Sequence, residues 1–568
     1  MLLKELIEVY EQLELRNEVK TGWDAKRAVH FGIDVDNNGK ILQIIPFSVD
    51  KSIKLMSVPA TTEKETGSGN FDKFIFGSSR YLLGFDVKKR TERHDSFMNT
   101  LEYHKEVLAQ TESEAADAIN HYFNYYADHF EELIDIVKSG DLKKYETSMF
   151  VLCYKGVPVM EYPEIAEAWN RQFKKLMAKE DAISGISLIS GERCTIAKTH
   201  SGVSVPGGTN PSLVSFNADA FESYGWKQSY NSSISVKENL MYTTALNYLL
   251  KTEGFHNRLG ETSVVMWSET LNPTETSILD AYFNGLSDEQ AFSQDELNAI
   301  VDQIVRGDKN VIIHLAGQEI VPSDKFFITG LKANSGRVKL EFFIESTFGE
   351  FIINISKHYE RLRLNDEHAF NNMKPYYLLA ETVRDIKKQN KNLVDKLSEG
   401  LLQSILNNSN YPDAIYYGTL DRLKKEGPKT SKFQILKMYL SKNYWLQTKE
   451  VTGLNLNKEA KSIAYQSGRL FAVIEKLQKD ASDGSKTSER YFASAMTTPS
   501  VAFAKLMRLN QYYSKKLSEG SKVYYDRMVT EIMNRIREFP KHFNLIEQGE
   551  FSLGYYHQKA ELYTKKED

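Results

Sequence analysis

At 568 residues the chain exceeds what one hydrophobic core organises, and two to four domains are expected. Hydrophobic residues make up 41% and charged residues 26%, an ordinary globular balance, while only two cysteines, Cys153 and Cys194, argue against a disulfide framework, a cysteine-rich zinc site or an iron–sulfur cluster. The net charge of −4 conceals an asymmetry: residues 375–568 hold 32 Lys+Arg against 22 Asp+Glu, a net of +10, and the residues before them 40 against 54, a net of −14.

Leu2–Leu15 reads as an amphipathic opening helix with acidic residues on its period and no small-residue cleavage site, so it is not a signal peptide. No run of eighteen apolar residues suggests a membrane span, and a reducing, cytoplasmic location is expected. Val29–Val35 and Ile41–Phe47 alternate as strands around Asp36-Asn37-Asn38-Gly39, which predicts a hairpin. Asp34, Asp36 and Asn38 echo a calcium loop, but Ile45 stands where a bidentate Glu is needed, which rejects the metal.

Pro59–Lys73 is a Gly/Thr/Ser/Lys loop in which small residues allow close backbone approach to a ligand. Lys64, Lys73 and Arg80 bring positive charge beside Thr66, Ser68 and Asn70, with Ser78 just beyond; a plain surface loop is the alternative. His94–Gly140 is mostly helical, and its stripe of Tyr122, Phe123, Tyr125, Tyr126 and Phe130 reads as core. His94-Asp95 resembles a phosphohydrolase metal pair without the remaining ligands. Met149–Tyr154 reads as a strand and Glu164–Met177 as a helix with Trp169 on its apolar side.

A second loop, Ser201–Pro211, follows Lys198 and His200, and Cys194 reads as structural. The stretch Val214–Trp267 begins with Asn217, Asp219, Ser223, Tyr224 and Gly225 as turn formers. Ser235 and Glu238 then form a capping box ahead of a helix whose Val236, Leu240, Met241, Ala245, Tyr248 and Leu249 give one apolar face. Val264–Trp267 reads as a buried strand, Ser287–Asp308 as an exposed acidic helical insert, and Phe326–Ala333 with Arg337–Glu345 as a hairpin about Asn334-Ser335-Gly336, Val338, Leu340 and Phe342 on one face. From Pro375 onward nearly everything is helical with short Gly, Pro or Asn breaks, which predicts antiparallel packing. The fold class is therefore α+β: a mixed N-terminal part with β-hairpins and helices, then a C-terminal antiparallel α-helical bundle. The regions are drawn at 1–145, 146–374 and 375–568. No P-loop, HExxH, CxxC, GxSxG or dinucleotide fingerprint occurs, which suits a protein that recognises and assembles.

The string SFNADAFESYG, then Gln228 and Asn231, the YTTALNYLL helix and the GETSVVMW strand resemble the large subunit of the type I-C CRISPR interference complex. The likeness recurs, in the family's order, at Gly67–Gly84, Cys194–His200, Gly330–Phe343, Leu378–Thr382, Tyr465–Gln478 and Gln548–Gln558. It implies a non-catalytic, cofactor-free and metal-free subunit whose N-terminal loop recognises the short motif beside a double-stranded DNA target. That loop brings in Lys64, Thr66, Ser68, Asn70, Lys73, Ser78 and Arg80, with Gly77-Ser78 standing where the family pattern carries Asp-Asn. Lys198, His200, Asn217, Gln228 and Asn231 follow as nucleic-acid or subunit contacts. Lys424, Lys425, Arg469 and Arg508 belong to a basic bundle lying along the DNA strands, favouring unwinding and holding the displaced one. The implied partners are a guide-RNA ribonucleoprotein, repeat backbone subunits, a guide-handle-binding subunit, a recruited helicase-nuclease, and a small helical subunit translated from an internal start near Met438, with Met496 and Met507 as alternatives. Two other readings stand beside this one: an architectural subunit with little base readout, and a metal-dependent nuclease using His94 and Asp95.

Overall fold

The computed structural model describes residues 2–47, 54–60, 73–177, 183–208, 210–216, 218–284, 294–306, 313–315, 317–364, 374–384, 391–482 and 487–563. The fold is α+β, and the chain forms two compact units. The first comprises Met1–His256, Val265–Leu271 and Leu331–Phe343; the second comprises Asn257–Val264, Asn272–Gly330 and Ile344–Asp568.

In the first unit, the opening helix Leu2–Leu15 buries Leu2, Leu6, Val9, Tyr10 and Leu13, the spacing of one helical face. The predicted hairpin forms between Phe31–Val35 and Ile41–Pro46, its turn fixed by the Asp36 carboxylate, which accepts the N–H groups of Asn38 and Lys40 at 2.9 and 2.8 Å. Phe31–Val35 also pairs in parallel with Met149–Tyr154, which pairs antiparallel with Phe76–Ser78 and Val157–Pro158 to complete a five-stranded sheet. The helices His94–Leu108, Glu114–Asp128, Phe130–Ser139 and Pro163–Met177 pack on this sheet around one apolar core. Tyr122, Phe123 and Tyr126 are part of that core, while Tyr125 and Phe130 pack at its edge.

The capping box forms as expected: Ser235 Oγ accepts the Glu238 N–H at 3.0 Å, and Glu238 Oε2 accepts the Ser235 N–H at 2.8 Å. The helix it opens, Val236–Lys251, differs from the one-faced helix expected, because Glu238–Leu250 are buried on every side. The reason lies in a polar stripe of Asn239, Thr243 and Asn247, each four residues from the next. Asn239 Oδ1 accepts the Ser201 N–H at 3.1 Å and Asn247 Oδ1 accepts the Ser204 N–H at 2.7 Å, so the helix side opposite its apolar face is covered by the 201–208 loop, whose backbone it satisfies.

Thr262–Ser268 is buried throughout, and His256–Leu259, Thr262–Ser268, Lys325–Asn334 and Arg337–Thr347 form a sheet in that order. The last two strands flank the predicted turn. Val338 and Phe342 are buried as their alternation requires, but Leu340 is exposed. The helix Gln294–Val305, read as exposed, buries Ile300, Val301 and Ile304.

The second unit is largely helical from Phe348–Leu362 onward. Its most closely packed pair is Ile463–Ala481 with Leu545–Tyr563, and this pair runs parallel: Ser462 meets Glu550, Arg469 meets Gln558, and Glu475 meets Lys559. Short connections predict antiparallel neighbours, but three helices, Thr487–Thr497, Pro499–Ser514 and Glu519–Met533, intervene here and return the chain to its starting end. Gly468 and Gly554 let the two backbones touch, since a Cβ on either would fall about 2 Å from a carbonyl oxygen of the other helix.

Candidate nucleic-acid interface

Lys64, Thr66, Ser68 and Asn70 lie outside the described residues, whereas the C-terminal root of their loop is described. Lys73 is buried, its ammonium 5.7 Å from the centre of the Tyr81 ring. Two residues on, Ile75 takes a left-handed φ of 49°, a conformation costly for a β-branched side chain. His104 holds it there: Nε2 accepts the Ile75 N–H at 2.9 Å, and Nδ1 donates to the Thr100 carbonyl at 2.7 Å. This needs neutral imidazole, and burial keeps it so by lowering the His104 pKa to about 4. Ser78 closes the short strand opposite Met149 and precedes the helical turn Ser79–Leu82 without a side-chain cap bond. Arg80 donates from Nε to Ser96 Oγ at 3.0 Å, its guanidinium 5.3 Å over Tyr81. Desolvation raises the nearby Asp24 carboxyl, and Arg27, Lys251 and Lys73 pull it back down, so three cations share one carboxylate at the loop root.

The second surface divides. Lys198 is exposed, and its carbonyl accepts the Ser229 N–H at 3.1 Å. His200 is buried, bonded through Nδ1 to the Tyr242 hydroxyl at 2.6 Å and lowered to about 4 by burial, so its ring holds the loop to the Val236–Lys251 helix. Asn217 lies outside the described residues. Gln228 is exposed with a left-handed φ of 51°, its N–H bonded to Glu222 at 3.1 Å. Asn231 uses all four of its bonding positions: Oδ1 accepts the Ser223 N–H and hydroxyl at 2.8 and 3.1 Å, and Nδ2 donates to the Trp226 and Gln228 carbonyls at 2.8 and 2.9 Å.

In the helical unit the four named cations have different environments. Arg469 is buried: its guanidinium bonds Gln558 Oε1 at 3.0 Å, Gln466 Oε1 at 2.7 Å and the Lys458 carbonyl at 3.1 Å, with Glu531 3.4 Å away. Lys424 is half-buried, and Lys425 is exposed with Asp421 at 2.7 Å. Arg508 and Lys505 are exposed on Pro499–Ser514, and Lys515 and Lys516 are exposed just past its end. Tyr512 stands beside them, 57% exposed, with the Lys516 ammonium 4.5 Å from its ring centre. The following helix adds exposed Tyr524 and Arg527. Interleaved Tyr and Lys/Arg over 505–527 was the signal available in the sequence for this group.

His94 packs edge-on against Phe130 at 4.6 Å, and Asp95 lies 3.5 Å from Arg93. Among the described residues, no group of three or more His, Cys, Asp or Glu could hold a metal ion. Burial pushes the Cys153 thiol up to about 12, away from thiolate chemistry, and Cys194 is raised too. Among the described residues, no helix is long and apolar enough to cross a membrane. No curated protein matches the sequence. The CRISPR-associated protein family Csd1 matches residues 6–563, and the chain belongs to that family, a large subunit of the type I-C CRISPR interference complex.

Proposed function

We propose that this chain is a non-catalytic reader of duplex DNA within its complex: it recognises the short motif flanking the target, favours opening of the duplex beside it and holds the displaced strand. Guide pairing reads the target sequence, while the protein contributes motif contacts and phosphate contacts. The observation that carries this is a run of exposed cations and tyrosines along two consecutive helices, Lys505, Arg508, Lys515 and Lys516 with Tyr512, then Tyr524 and Arg527, with the Lys516 ammonium 4.5 Å from the Tyr512 ring centre, on a chain of this family. Cations neutralise phosphates and release counterions, while tyrosine faces accept any base, a pairing suited to a single strand. Under this reading residues 1–145 carry the motif loop, 146–374 a second polar surface, and 375–568 the strand-holding bundle. Guide-RNA ribonucleoprotein, backbone subunits, the handle-binding subunit, a small helical subunit and a recruited helicase-nuclease are the proposed partners.

The deciding experiment is binding of the assembled complex to matched duplexes bearing every flanking trinucleotide, for wild type and for alanine variants at Thr66, Ser68, Asn70 and Ser78. A flattened preference with intact assembly is expected. Unchanged preference with uniformly weaker binding would make the loop a phosphate clamp, and loss of assembly alone would favour the architectural reading.

A further inference from the structure

Ser223 and Trp226 pair as an isolated antiparallel bridge, the Trp226 N–H reaching the Ser223 carbonyl at 3.0 Å. Between them Tyr224 and Gly225 hold φ of 54° and 77°, two successive left-handed residues that match a tight two-residue turn. Glycine adopts this freely; tyrosine does so at a cost. The Asn231 side chain bonds both sides of the turn and Glu222 fixes the residues after it, so the strained form is held from below. Packing within the chain does not repay the cost, because Tyr224 is 98% exposed. Trp226 and Phe221 beside it are 46% and 43% exposed, and the Arg337 guanidinium lies 4.1 Å over the Phe221 ring. Lys198 and Lys227 are exposed at the base of the same turn, their carbonyls bonded to the N–H groups of Ser229 and Tyr230.

We infer that Tyr224 is a base-stacking tip, inserted against an unpaired nucleobase where the target duplex opens, with Lys198 and Lys227 supplying positive charge for the flanking phosphates. This rests on the proposed function and names the residue through which the opened base is held. A protein-binding hot spot sits at the centre of a packed patch ringed by neutral contacts. Here a single ring protrudes from a rigid two-residue tip above cations, the form of a side chain that enters a base stack.

The test uses the assembled complex and a matched duplex carrying 2-aminopurine at successive positions next to the motif, whose fluorescence reports unstacking. Tyr224→Asn, which keeps a residue type tolerant of left-handed backbone, removes the ring without disturbing the turn, and Tyr224→Phe keeps the stacking face. Opening is expected to fall about tenfold in Tyr224→Asn and to persist in Tyr224→Phe. Wild-type opening by an assembled Tyr224→Asn complex overturns the inference. Failure of that variant to assemble also overturns it, since the tip then seats on a protein neighbour. If the wild-type complex opens no matched duplex, the proposed function itself falls, a result independent of any difference between variants.

Discussion

Three buried histidines share one arrangement: Nδ1 bonds a tyrosine hydroxyl and Nε2 has no hydrogen-bond partner among the described residues, in His200 with Tyr242, His358 with Tyr411 and His557 with Tyr465. His104 departs from it by serving two backbone groups, which makes it the residue that sets the loop root. Replacing His104 with Ala leaves the buried Ile75 N–H unpaired and opens a cavity, at a cost of about 2–4 kcal/mol. The urea midpoint of the full chain checks this, and an unchanged midpoint would mean that Ile75 is held by other contacts. At the exposed turn the expectation is different. Asn231→Asp keeps both acceptor bonds but loses the donors to Trp226 and Gln228, so proteolysis within 223–228 should quicken severalfold while global stability moves by less than about 1 kcal/mol. Residue types alone could not separate these roles. His200 and Arg469 carried the right chemistry for nucleic acid in the sequence, yet both side chains turn inward, where a Tyr or Gln on another element bonds them.

Among the elements, those specified by local chemistry were legible. The Asp36 hairpin turn, the Ser235–Glu238 capping box and the buried Thr262–Ser268 strand each follow from residues within a few positions of one another. What depends on distant partners was not. The Asn239–Asn247 stripe reads as a solvent face until the 201–208 loop covers it, and the parallel pairing of Ile463–Ala481 with Leu545–Tyr563 depends on how three intervening helices return the chain. That pairing makes a sharp demand. Gly468 sits where a Cβ would lie 1.9 Å from the Phe551 carbonyl oxygen, and Gly554 where it would lie 2.1 Å from that of Tyr465. Backbone on both sides cannot yield as a side chain end can, so Gly468→Ala should cost about 3 kcal/mol or more despite alanine's better helix propensity. Gly520→Ala, with open space around its Cβ position, should cost nothing or stabilise slightly. Thermal melts of the two variants compare them directly, and equal melting temperatures would refute the close approach.

For the whole molecule, pH and salt report different properties. Burial lowers His104, His200 and His557 to about 4 and His358 to about 3 from an ordinary 6.5. As pH falls, the unfolded chain binds these protons first, so the stability present above pH 6.5 is lost between about 6.5 and 4. Asp24 and Glu550, raised by burial, oppose this in part. Urea midpoints at pH 7.5, 6 and 5 should fall steadily, and a flat series would contradict neutral buried imidazoles. Salt tests the surface instead. Arg508, Lys505 and Lys515 are exposed, so neutralising each should weaken binding of the complex to DNA and reduce the slope of log affinity against log salt by about one for every phosphate left without its cation. Arg469 holds Gln558 and Gln466 inside the helical unit, so Arg469→Ala should lower stability by about 3 kcal/mol, an unpaired buried network being left behind, without changing that slope in complexes that still assemble. The two classes of variant therefore separate strand binding from scaffold. A changed slope in Arg469→Ala with an unchanged slope in Arg508→Ala would move the strand path away from the 505–527 surface.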